Sequence, residues 1–159
     1  MSAKTYAKSI AAIVFAVILI LVAIFHCRPY NEKNTFMVKG KAEDVYAENT
    51  GDAGSPDFLF FTLGGRKFFY MNIGGNREST KALKSSIEKA NEVTLYCTDQ
   101  TLWLHPLTVG DCTQVVKVET AAVKTDWKEH NKRQIGMRVL CFVAAVLLLG
   151  IVLLMIKLK

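Results

Sequence analysis

Apolar positions along this chain follow three different periods. Residues 10–25, IAAIVFAVILILVAIF, run sixteen positions without a charged or polar side chain, and residues 139–156, VLCFVAAVLLLGIVLLMI, run eighteen. As helices these are about 24 and 27 Å long, close to a hydrocarbon core of about 30 Å. Between them lies FLFFTLGGRKFFYMNI, residues 58–73, whose runs are too short to span a membrane as a helix. It fits two strands, residues 58–63 and 66–73, closed by Gly64-Gly65, because a Gly-Gly pair adopts the positive φ angles of a two-residue hairpin. That turn sets the register. Leu63, Phe61 and Leu59 face Arg66, Phe68 and Tyr70, while Thr62, Phe60 and Phe58 on the other face meet Lys67, Phe69 and Met71. Both faces are apolar in the middle, so both need cover or one contacts a partner.

Weaker patterns surround the hairpin. Residues 35–46, TFMVKGKAEDVY, read as one strand with a bend or bulge at Gly40. Residues 48–57 read as a polar loop rich in turn formers. Residues 79–90, STKALKSSIEKA, set Leu83, Ile87 and Ala90 on one helical face. Residues 92–98 and 112–120 read as strands, and residues 102–104 as a short apolar piece before Pro106. The order strand, strand, strand, helix, strand, strand resembles the OB-fold, a small five-stranded barrel with a helix between its third and fourth strands. The likeness is one of order and length over residues 35–120; an SH3-like or other small barrel is the alternative. Residues 121–137, AAVKTDWKEHNKRQIGM, form a basic connector with Val123 and Trp127 four apart. Trp127, Lys132, Arg133 and Arg138 are the residues expected at headgroup depth.

The resulting organisation is an N-terminal membrane helix (1–27), a small mostly-β domain (35–120), the connector (121–137) and a second membrane helix (138–156). The sequence before Arg28 reads AIFHC, without a small-x-small cleavage site, so the first helix is expected to stay as an anchor. Charge sharpens this picture. The net charge is +6, yet residues 35–121 hold nine Lys/Arg against eleven Asp/Glu. The basic excess therefore sits beside the apolar segments, where anionic headgroups attract it. A nucleic-acid binder carries its cations on the binding module, so nucleic acid is a disfavoured partner. Two spans put both termini on one side of a plasma or inner membrane. The loop ends hold nine cationic residues against four in the tails, which favours a cytoplasmic loop. Lys4 and Lys8 ahead of the first apolar run favour an inside N-terminus, and the two arguments oppose one another. Cys97 and Cys112 pair if the domain faces an oxidising compartment and remain thiols otherwise.

Candidate chemistry changes the picture little. No phosphate-binding loop, GxSxG, HExxH or EF-hand loop occurs. Cys97, His105 and Cys112 offer three ligands at a spacing unlike zinc sites, and Asp111 beside Cys112 lacks a histidine base. The apolar runs hold no central ionisable residue of the kind transport paths use. The pattern calls for no cofactor and no catalytic residue. The expected function is a non-enzymatic interaction module held at the bilayer, binding a membrane or envelope protein as an accessory subunit, an immunity or exclusion factor, or a sensor. Self-association is a further option. The alternative is an OB-type oligosaccharide or nucleic-acid binder using the second and third strands. Its platform would be Phe61, Phe68 and Tyr70, with Arg66 and Lys67 at the hairpin tip.

Overall fold

The structure, a computed structural model, describes residues 3–48, 57–73, 76–98 and 111–157. Among them the elements run α1 (Ala3–Phe25), β1 (Phe36–Gly40), β2 (Glu43–Glu48), β3 (Asp57–Leu63), β4 (Arg66–Asn72), α2 (Arg77–Lys89), β5 (Val93–Thr98), β6 (Thr113–Glu119) and α3 (Lys128–Lys157). The chain divides into two units, Tyr30–His130 and the two ends, Met1–Pro29 with Asn131–Lys159. Most of the polar loop expected at residues 48–57 lies outside the described residues, as do residues 102–104 and His105.

The unit of the two ends holds α1 and most of α3, both long and apolar enough to cross a membrane. Only 17% of the most apolar window of each is buried, whereas the core helix of a soluble protein is covered on most of its surface. Burial is confined to narrow stripes. Along α1 it falls on Ser9, Ala16 and Ala23, seven residues apart; along α3 it falls on Cys141, Ala145 and Val152. Small residues at such spacing let helices approach closely. Of the alanine pairs four apart in α1, Ala12 with Ala16 and Ala7 with Ala11, Ala16 is buried, Ala12 is half-buried, and Ala7 and Ala11 are exposed.

In the other unit the β3–β4 hairpin has the register that its turn dictates, with Phe61 opposite Phe68 and Phe60 opposite Phe69. Gly64 and Gly65 have φ of 54° and 76°, left-handed angles that a side chain resists. Helix α2 starts two residues before the expected position because Asn76 caps it. Asn76 Oδ1 accepts from the Ser79 amide at 2.8 Å, and Ser79 Oγ accepts from the Asn76 amide at 3.0 Å. Asn72 Nδ2 donates to Ser79 Oγ and Thr80 Oγ1, tying the end of β4 to the first turn of α2.

Where a five-stranded barrel was expected, the structure has an open mixed sheet of six strands, ordered β1-β5-β6-β4-β3-β2. Every neighbouring pair is antiparallel except β4 and β6. Four strands rather than three precede α2, because the strand expected over residues 35–46 is two strands at opposite edges. The break follows Gly40, where a Cβ would meet Leu63 Cδ2 at 3.2 Å, a tight approach. After Ala42 the register shifts between Glu43 and Tyr46, and Asp44 takes a φ of 50°, the mark of a bulge. Six flat strands would set the edges about 24 Å apart. Lys41 and Ala42 alone join β1 to β2, holding them within about 11 Å there. The sheet therefore coils strongly, although no ladder joins its two edges.

The principal core lies on the face that α2 covers. Leu83 and Ile87 of the helix pack with Leu59, Phe61, Phe68, Leu95, Val115 and Val118 of the sheet. The opposite face buries a second cluster, Phe58, Phe60, Phe69 and Met71, with Ile73 and Cys112 against it.

Candidate functional site

The structure places the expected aromatic platform inside the protein. Phe61 and Phe68 are 1% exposed and Tyr70 is 4% exposed, all within the α2-facing core. They pack in that core, and Phe61 and Phe68 also form part of the wall of the cleft beside Tyr46 and Lys67. Phe58, Phe60, Phe69 and Met71 are buried as well, so neither face of the hairpin alone presents an aromatic surface. Arg66 and Lys67 do stand exposed at the tip. Burial pushes the Tyr70 phenol up; a hydrogen bond with Thr125 opposes this and the Asp126 charge adds to it. The hydroxyl remains protonated at neutral pH, as the desolvation cost of phenolate requires.

The residue the sequence reading overlooked is Tyr46. It sits on edge strand β2, 49% exposed, and stacks on Phe60 with ring centroids 5.1 Å apart and planes at 15°. Beside it opens a cleft of about 220 Å³, lined by Asp44, Phe60, Thr62, Lys67 and Cys112 among others. Thr62 Oγ1 donates to the Glu43 carbonyl at 3.2 Å and lies 3.5 Å from Asp44 Oδ2. The cleft thus joins an aromatic wall, a carboxylate, a hydroxyl and an ammonium. Burial pushes the Cys112 thiol up, Lys67 pulls it down and Asp111 adds to the rise. The net direction keeps it a thiol rather than the thiolate a nucleophile needs. Cys97 belongs to the opposite face, and no disulfide links the two. Among the described residues no cluster of His, Cys, Asp and Glu fits a metal ion.

A second constellation lies at the other end of the sheet. Lys117 of β6 is opposite Tyr96 of β5. Its Nζ sits 4.6 Å from the Tyr96 ring centre and 4.7 Å from that of Trp127, which precedes α3 by one residue. The two rings meet edge to face at 5.5 Å. Glu119 Oε1 lies 2.9 Å from the same nitrogen. The hydrogen bond to Glu119 raises the Lys117 pKa, burial opposes it, and the same bond holds the Glu119 carboxyl below its usual range. Trp127, expected at headgroup depth, is thus half-buried against a cation. Of the other residues expected there, Lys132 is exposed and Arg133 and Arg138 are half-buried on α3. No protein-family model, curated protein or solved structure matches this chain.

Proposed function

We propose that this chain is a non-catalytic interaction module anchored in a plasma or inner membrane. In this reading α1 and α3 span the bilayer and hold the β unit at its surface for a protein partner in the same membrane or envelope. The carrying observation is the division of charge and apolarity between the two units. The unit of the two ends carries eight Lys/Arg and no Asp/Glu, while Tyr30–His130 carries twelve against fourteen. The outward residues of α1 and α3, such as Phe15, Val17, Val146 and Leu153, are apolar and exposed. Lipid covers such surface at no cost in hydration, and flanking cations meet anionic headgroups. Two spans put both termini on one side.

At the finer level we read the sheet as a partly open OB-type barrel. Taken as one bent strand, residues 36–48 pair with β5 through their first half and with β3 through their second. The order then becomes three strands, a helix and two strands. Confinement at the bilayer raises the effective concentration of such a domain for any neighbour there, which suits an accessory subunit, an exclusion factor or a sensor.

The test is extraction and co-purification of the full chain. Retention in the pellet after alkaline carbonate washing, with a stoichiometric protein recovered in mild detergent, is the expected result. Release by carbonate overturns the anchoring. Recovery of the chain alone, monomeric and without a partner, overturns the interaction role. A reporter active on one side only, fused after Lys159, assigns the side of both termini.

A further inference from the structure

The cleft beside Tyr46 sets an accessible ring beside polar side chains. Asp44, on its rim, is held there by the β2 bulge, at a φ of 50°. Tyr46 offers a half-exposed ring whose underside is fixed by Phe60, and Asp44, Thr62 and Lys67 line the same opening.

We infer that this cleft binds a single neutral sugar ring, the terminal or exposed unit of a glycan. A pyranose carries an apolar C–H face for the flat, half-exposed ring of Tyr46, whose underside Phe60 fixes. Its hydroxyls donate to Asp44 and accept from Lys67, both of which line the cleft. The rim pairs one carboxylate with one ammonium, so it selects hydrogen-bonding capacity rather than net charge. About 220 Å³ admits one ring, below the usual range for larger ligands. The acidic balance of Tyr30–His130 disfavours a polyanion. This inference depends neither on the membrane anchoring nor on a protein partner.

The experiment uses the full chain in a zwitterionic detergent free of sugar headgroups, because a maltoside would compete. Saturation-transfer NMR is run with methyl β-glucoside and methyl N-acetyl-β-glucosaminide as probes, and with uridine and phenylalanine as rivals. Saturation of the glycoside ring protons is expected. It falls roughly tenfold or more in Tyr46→Ala, the loss of one stacking wall, and is retained in Tyr46→Phe. Tyr46 is exposed at an edge, so the variant keeps its near-ultraviolet circular dichroism. Absence of saturation from both glycosides, an unchanged signal in Tyr46→Ala, or stronger saturation of uridine or phenylalanine overturns the proposal.

Discussion

Replacing Lys117 by methionine removes a cation from between two rings and keeps a flexible stem of similar length. The ammonium lies 4.6 and 4.7 Å from the Tyr96 and Trp127 ring centres and 2.9 Å from Glu119 Oε1. A cation over one ring contributes about 0.5–1 kcal/mol when exposed and about 2 kcal/mol when desolvated. The Lys117 side chain retains 18% exposure, so each ring contact falls between those limits. The ion pair adds less than about 1 kcal/mol after solvent screening. A loss of about 2 kcal/mol is expected, of which about 1 kcal/mol belongs to Trp127. A double-mutant cycle with Trp127→Leu isolates that share. The assay is urea-dependent hydrogen exchange of the β5 and β6 amides in the full chain, which reports opening of the sheet. The pH dependence has a definite sign. The lowered Glu119 pKa gives stability that is full above the unfolded carboxylate range and lost as pH falls through the folded value. The raised Lys117 pKa gives stability that is full below the unfolded lysine value and lost as pH rises through the folded one. The wild-type advantage over Lys117→Met should therefore be flat from about pH 5 to about pH 10 and shrink on either side. A coupling below about 0.3 kcal/mol, the scatter of independent sites, refutes the cage as a clamp on Trp127.

Two further outcomes concern the hairpin. Phe68→Ala removes a ring from the α2-facing core, stacked 6.2 Å from Phe61, and should cost about 3–5 kcal/mol in the same exchange assay; a loss under about 1 kcal/mol would place Phe68 at a surface. Gly65→Ala meets no atom within 4 Å but must hold a φ of 76°, so thermal unfolding should show a loss of about 1–2 kcal/mol arising from backbone strain alone.

Local rules carried much of the fold. The hairpin register followed from one Gly-Gly turn and strict alternation, because a one-residue slip would send every core side chain to the other face. Helix α2 followed from Leu83 and Ile87, with only the Asn76 cap unread. What local rules could not supply was the fate of residues 35–46. Their pattern suits a strand throughout, and Gly40 signals a bend. Whether the two halves pair with the same neighbours is decided by strands far along the chain, since the first half pairs with β5 and the second with β3. Those pairings are tertiary, and no local pattern announces them.

The accessible part of the aromatic surface was illegible for a related reason. Aromatic density marks a core as readily as a platform, and the six aromatics of the hairpin answer to the core on both faces. The accessible ring belongs to Tyr46, which the sequence shows as an isolated aromatic in an acidic strand, EDVYAE. Its neighbour Asp44 carried no sequence signal either, since aspartate is common in turns and its φ is visible only in the folded chain. Trp127 shows the converse. Its distance from the second apolar run suggested headgroup depth, and Lys117 and Tyr96, distant in sequence and adjacent across β5 and β6, give it a protein contact that the sequence does not show. In both places the informative residue is solitary in sequence and acquires its chemistry from partners on neighbouring strands. A search for such sites should therefore weigh isolated aromatics at sheet edges above aromatic runs, because a run buries itself.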